Sequence, residues 1–182
     1  YNMSRTFGLL GRINYSYLGK YLFSASVRRD GSSVLDKDHQ WDNFPAASMG
    51  WRISDEKFMD ATRDWLDNLK FRIGWGITGS AKIDPYSSVA MVENANTSLG
   101  GITTPIFRNS ALIANPVLGW EKSYNTNYGM DASFLNGRID LSFDYYRTKT
   151  KDVIYKVNMP IIYGAYTPGV SYARNINLCE TM

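Results

Sequence analysis

One cysteine and one histidine are all that 182 residues hold of the side chains most used for disulfides, zinc sites and nucleophile–base pairs. Cys179 has no partner for an internal disulfide, and His39 alone cannot build a histidine-based metal site. No apolar run approaches the ~18 residues that a membrane-spanning helix needs, and no charged-then-apolar leader opens the chain at Tyr1. The expectation is therefore an internal portion of a longer protein, with any export signal upstream. An excess of one charge is also missing. The 20 Lys and Arg and 17 Asp and Glu are scattered to a net +3, without the basic cluster of a nucleic-acid binder.

What is present is aromatic side chains, 14% of the total as 13 Tyr, 8 Phe and 5 Trp. Tyr and Trp suit boundaries between apolar and wet surroundings, because each ring carries a polar handle. The dominant pattern is an alternation of period two. Phe7, Leu9, Ile13, Tyr15 and Tyr17 share one parity, against Arg12, Asn14 and Ser16. Tyr21, Phe23, Ala25 and Val27 face away from Ser24, Ser26 and Arg28, and Ala47, Met49, Trp51 and Ile53 away from Ser48, Gly50 and Arg52. Leu69, Phe71, Ile73, Trp75 and Ile77 oppose Lys70, Arg72, Gly74 and Gly76. Tyr124, Thr126, Tyr128, Met130, Ala132 and Phe134 oppose Glu121, Ser123, Asn125, Asn127 and Asp131. Ile139, Leu141, Phe143 and Tyr145 oppose Arg138, Asp140, Ser142 and Asp144. Only Lys122 is a charge of apolar parity, at a strand's edge.

The connections alternate in length. Leu18-Gly19-Lys20 and Asn136-Gly137 mark tight turns, the latter because both residues tolerate positive φ. A polar loop runs from Gly31 to Asn43, and Phe44-Pro45 is expected to begin the next strand, where a missing N–H is tolerated. A second loop, Ser80 to Gly119, is rich in Asn, Ser, Thr and Gly and has too little periodicity for a strand pair. Between them, Ser54 to Asn68 reads as helical, with Ser54 as cap and Phe58, Ala61, Trp65 and Leu66 at helical spacing. Short turns at one end and long loops at the other are the asymmetry of outer-membrane barrels, with turns periplasmic and loops outside. Aromatics gather toward both strand ends, Trp51 and Phe71 at one, Trp75, Trp120 and Tyr145 at the other, as two interfacial girdles would. Alternation alone does not distinguish lipid from a second sheet. A soluble secreted β-sandwich acting as a glycan-binding module is the competing reading.

Motifs for chemistry fall away on context. Gly74-Trp-Gly76-Ile-Thr-Gly79 spells a dinucleotide fingerprint, yet a loop follows where a helix N-terminus is required. Asp36, Asp38 and Asp42 fail the calcium-loop pattern, since Trp41 stands where glycine is needed. Asp140 and Asp144 share a strand face like a glycosidase pair, but among polar neighbours they read as solvated charges. No catalytic residue, metal site or cofactor is expected.

The order of short motifs adds a resemblance. Arg12-Ile-Asn14-Tyr15, Asp30-Gly31-Ser32-Ser33, Gly50-Trp51-Arg52-Ile53-Ser54, Thr78-Gly79, Asn115-Pro116, Trp120-Glu121 and Asp144-Tyr145-Tyr146 follow one another as in SusC/RagA-like TonB-dependent transporters of the Bacteroidetes outer membrane. After about Gly164 the match degrades. The resemblance implies an all-β, antiparallel up-and-down meander, six or seven strands of a barrel of about 22 around a plug. Residues 1–182 would form a single partial barrel domain, with a short helical connection near 55–67 and the plug in a missing N-terminal part. It further implies a wall segment, not an enzyme, of a transporter in the cell outer membrane importing glycans, peptides or other large nutrients. Its partners would be outer-membrane lipid, a SusD-like lipoprotein lid and, through the missing part, the TonB complex. Arg12, Arg28, Arg52, Arg72, Glu121, Asp131 and Arg138 would face the lumen. Phe23, Trp51, Phe71, Ile73, Trp75, Tyr128 and Phe143 would face lipid. Selectivity would lie mainly in the loops 31–43 and 80–119.

Overall fold

The computed structural model describes residues 3–62, 64–83, 85, 92–109, 112–113, 115, 117–158, 171–176 and 180–181. Alternation becomes strand throughout: β1 (Thr6–Tyr17), β2 (Tyr21–Ser32), β3 (Trp41–Arg52), β4 (Leu66–Ser80), β5 (Val92–Leu99), β6 (Ile102–Asn109), β7 (Leu112–Ile113), β8 (Glu121–Phe134), β9 (Ile139–Lys151), β10 (Val153–Asn158), β11 (Ser171–Ile176) and β12 (Glu180–Thr181). A seven-stranded sheet is ordered β1-β2-β3-β4-β8-β9-β12, and each neighbouring pair is antiparallel. β5-β6 forms a separate ribbon, and β10-β11-β7 a small second sheet with β7 parallel to β11.

The tight connections are built on left-handed backbone. Leu18 (φ 53°) and Gly19 (φ 69°) carry β1 into β2, and the Lys20 N–H donates to Tyr17 O at 3.1 Å. The β8–β9 turn is longer than the Asn-Gly pair alone suggests. Leu135, Asn136 and Gly137 all have positive φ, and the Arg138 N–H donates to Phe134 O at 3.1 Å. Primed geometry of this kind matches the right-handed twist of the flanking strands.

Four local expectations are corrected. β3 starts at Trp41, so Phe44-Pro45 lies inside it; Pro45 is tolerated because the β3–β4 ladder begins only at Ala46. Within the long loop, β5 and β6 do pair, from Val92↔Asn109 to Leu99↔Ile102, around Gly100 and Gly101 at φ 59° and 83°. Their Asn and Thr residues carry no apolar period, and the described Asn94, Asn96, Ser98 and Thr103 are exposed. The helical connection consists of two 3-10 turns, Ile53–Asp55 and Lys57–Thr62, and β4 takes over at Leu66. Trp120 is not a girdle residue.

Trp120 belongs to the one buried apolar cluster among the described residues, with Val34, Leu35, Phe44 and Leu118. It meets Phe44 edge-on at 5.3 Å and donates its indole N–H to Gln40 O at 3.1 Å. The cluster joins the 33–40 loop to residues 118–120, at the end of the sheet away from the tight turns. Burying each such side chain is worth about 1.5–3 kcal/mol, so these two loops hold one another in a fixed shape.

Candidate functional site

The extended surface of the sheet is the feature that carries function. Register aligns the apolar parity of every strand in rows. One row reads Tyr15, Phe23, Met49, Ile73, Tyr128 and Tyr145; the next toward the tight turns reads Tyr17, Tyr21, Trp51, Phe71, Met130 and Phe143. Phe23, Trp51, Phe71, Ile73, Trp75, Tyr128 and Phe143 therefore occupy one continuous face. No second layer covers it among the described residues: Phe23 is 44% exposed, Ile73 43% and Tyr128 47%. An exposed apolar surface of this breadth marks an interaction face.

Its edges run obliquely. At the turn end the face stops at Tyr17 in β1, but continues past that row, by four residues, to Ile139 in β9. At the loop end it retreats in the same sense: Phe7 and Leu9 are still apolar in β1, whereas Arg147 and Lys149 follow Tyr145 in β9. A four-residue step at ~3.4 Å per residue, taken across five strand spacings of ~4.8 Å, is an obliquity of roughly 30°. Strands of membrane barrels tilt by about 35–45° against the apolar girdle.

The opposite face is polar and low. Ser24, Ser26, Ala46, Ser48, Gly50, Gly74, Gly76 and Gly129 make a floor of small residues, with a shallow concavity of about 500 Å³ over Ser24, Ser48, Gly50, Gly74 and Arg72. Across it stands one ion network. The Arg72 guanidinium grips Asp131 with two nitrogens, each at 2.9 Å, and reaches Asp144 Oδ1 at 3.2 Å; Ser142 Oγ donates to Asp131 at 3.1 Å. Gly129 makes room for it, because a Cβ there would stand 2.7 Å from Asp144 Oδ1 and 3.0 Å from Arg72 Nη2. The network is half-exposed, so its contribution in water is about 1 kcal/mol or less.

Of the polar residues singled out from sequence, Arg72 and Asp131 are brought together, and Asp144 joins them. Arg28 pairs instead with Asp30 at 2.7 Å on its own strand. Arg12 lies opposite Ser26, Arg52 opposite Lys70, and the Glu121 carboxylate accepts the Ile154 N–H at 3.1 Å at the loop end. Arg138 sits in the β8–β9 turn. Of the acidic loop residues, Asp42 pairs with Lys122 at 2.5 Å and Asp36 caps the 3-10 turn Lys37–His39. Asp140 is bonded to Ser133.

A cluster that sequence reasoning missed lies at the turn end. Glu56, in the connection between β3 and β4, accepts the Tyr21 hydroxyl at 2.8 Å, the Trp51 indole N–H at 3.4 Å and the Lys20 ammonium at 3.4 Å. The Tyr21 bond, against partial desolvation and with smaller help from Trp51 and Lys20, holds the Glu56 carboxyl below the usual carboxylate range. Farther along, Trp65 stacks on Phe134 at 6.0 Å and 7°, Trp65 O accepts the Leu135 N–H at 3.0 Å, and Asp67 accepts the Gly137 N–H at 3.0 Å. Apart from Trp51, five residues from Glu56, the partners lie about 35 residues or more apart in sequence, and no local motif signals them.

A family model described as TonB dependent receptor-like, beta-barrel matches residues 2–178. The chain is 40% identical over 156 residues to "TonB-dependent receptor SusC" of Bacteroides thetaiotaomicron, covering 83% of this chain and 15% of that protein. It is 38% identical over 154 residues to "TonB-dependent receptor P39" of Formosa agariphila, covering 84% of this chain and 14% of that one. The chain thus spans about a seventh of the length of the curated relatives it matches. Among solved structures, one of the RagAB peptide transporter superposes with a TM-score of 0.80 at 26% identity, over 97% of this chain and 18% of that one. Another, of the RagAB peptide importer in its 'open-open' state, gives 0.81 over 95% and 18%.

Proposed function

The chain belongs to the TonB-dependent receptor-like β-barrel family, outer-membrane proteins and not enzymes, and from that premise we propose that it is a wall segment of a nutrient importer whose apolar face meets lipid. A soluble β-sandwich is set aside by the family match and by the lack of a covering layer among the described residues. The observation that carries the lipid assignment is the exposed apolar band running obliquely across the strands. A hydrocarbon slab cuts tilted strands at a constant height, so the band must step across hydrogen-bonded rows.

On this reading the 18–20 and 135–138 turns lie in the periplasm, and the loops after β2 and β4 lie outside. Arg12, Arg28, Arg52, Arg72, Glu121, Asp131 and Arg138 face the lumen side, and the low floor of glycine and serine leaves room for a plug from a part outside this chain. That part also meets the TonB complex. The cargo is an oligosaccharide, a peptide or another large nutrient, taken up under a SusD-like lipoprotein lid. Exposed Asn94, Asn96, Ser98 and Thr103 on the β5–β6 ribbon support this, since amide and hydroxyl groups suit glycans and peptide backbones alike. The test is deletion of residues 92–109 from the full-length transporter. Loss of lid affinity or of uptake is expected, with surface levels kept; unchanged uptake and unchanged lid binding would refute the loop's role.

A further inference from the structure

The connection between β3 and β4 is long for a periplasmic turn, and its contacts fall on one side of the sheet. Glu56 is bonded to Tyr21 and Trp51, and Trp65 is stacked on Phe134. Tyr21, Trp51 and Phe134 all have the apolar parity. A register irregularity between Leu66 and Asn68 brings Leu66 opposite Phe134 as well, and Leu66 is buried. Glu56 also takes the Lys20 ammonium at 3.4 Å, from the β1–β2 turn and not from the floor of the polar face. It therefore folds outward over the rim, away from the lumen.

That placement leaves two large apolar groups beside the band, Phe58 at 67% exposure and Trp65 at 50%. Trp65 extends the band past Phe134, and Phe58 lies in the 3-10 turn that follows Glu56, the residue bonded to Tyr21 and Trp51. In the same stretch Asp55, Lys57, Asp60 and Asp64 are exposed. An apolar side next to lipid and a charged side next to water is the arrangement of a segment lying in the membrane interface. Its acidic balance suits a zwitterionic headgroup layer better than an anionic one.

We propose that residues 53–62, with Asp64 and Trp65, form an interfacial anchor lying in the periplasmic leaflet of the outer membrane, with Phe58 and Trp65 inserted at the headgroup–acyl boundary and Glu56 as the staple that holds the segment down. The inference rests on the lipid assignment above. Continuity with the band identifies phospholipid as the occupant.

The experiment uses the full-length transporter with Cys179 replaced by Ser, in phosphatidylethanolamine–phosphatidylcholine vesicles. A nitroxide is attached in turn to Phe58→Cys, Trp65→Cys, Phe71→Cys and Asp36→Cys, and its collisions with oxygen and with a water-soluble nickel chelate are measured. The expected oxygen-to-nickel ratio at 58 lies close to that at 71 and roughly fivefold above that at 36. A ratio at 58 equal to that at 36, while 71 remains oxygen-rich, overturns the anchor alone. Nickel access at 71 itself overturns the wall reading. Shielding of 58 from both reagents means that protein covers it, and overturns lipid as the occupant. Trp65→Cys gives the same decision if the label at 58 prevents folding.

Discussion

Ile73 and Gly74 are neighbours on β4 that point to opposite faces, and arginine placed at each separates lipid from water. Ile73 is the middle apolar residue of β4, four residues from both Leu69 and Ile77. At ~3.4 Å per residue and a tilt near 40°, it stands about 10 Å from each edge of the band, near the midplane of a hydrocarbon layer about 25 Å tall. Ile73→Arg should cost about 2–4 kcal/mol there, a roughly 30- to 1,000-fold loss in folding constant. At 43% exposure in water the same change would cost about 0.5 kcal/mol or less. A Cβ at Gly74 meets only Ser48 Cβ, at 4.0 Å, so Gly74→Arg on the polar face should cost about 1 kcal/mol or less. Ile139→Arg, at the turn-end edge of the band, should cost about 0–1 kcal/mol. The assay is urea unfolding of the full-length transporter in phospholipid vesicles, followed by tryptophan fluorescence, with refolding checked by reversal of the curve. Equal costs at 73 and 74, or a cost at 73 no greater than at 139, would refute the reasoning.

Three further outcomes are expected. Arg72→Ala, which frees two half-exposed carboxylates, should cost about 1 kcal/mol or less by the same unfolding assay; a cost of about 3 kcal/mol or more would show the network to be desolvated. Gly79→Ala should loosen the loop-end cluster by about 1–3 kcal/mol, because a Cβ there overlaps the Phe44 ring, and faster surface proteolysis of the 33–40 loop on intact cells is the readout. The carboxyl of Glu56 titrates lower in the folded chain than in the unfolded one, so its stabilisation is complete above the ordinary carboxylate pKa of ~4.3 and is lost as pH falls through the lower folded value. Hydrogen exchange at residues 53–62, corrected for intrinsic rates, should accelerate on that acid limb and stay flat from neutral pH upward; Glu56→Gln should exchange fast at both, and a wild-type-like profile would remove the staple from the account.

The meander, the parity of its six long strands and the seven apolar residues of the exposed face were legible in the sequence, because a period of two is a local property that backbone geometry converts directly into two faces. Leu18-Gly19 and Asn136-Gly137 were legible for a similar reason, since a left-handed turn selects its residues at fixed positions. The β5–β6 ribbon was not. Its exposed Asn94, Asn96, Ser98 and Thr103 need no apolar alternation, and such a run of polar residues reads as loop. The start of β3 was misplaced because proline's cost depends on the neighbouring ladder, which begins one residue later at Ala46.

By itself, then, the sequence determined which residues share a face, where the chain reverses and, through the order of its motifs, the family. Only the tertiary structure decided how those faces are built. Register joined Arg72 to Asp131 and Asp144, set Glu56 against Tyr21, turned Trp120 inward against Phe44, and laid the apolar band obliquely across the strands. The physical reason is range. Face and turn are set within a few residues, whereas these contacts join strands tens of residues apart, and their geometry exists only once the ladders between them have formed.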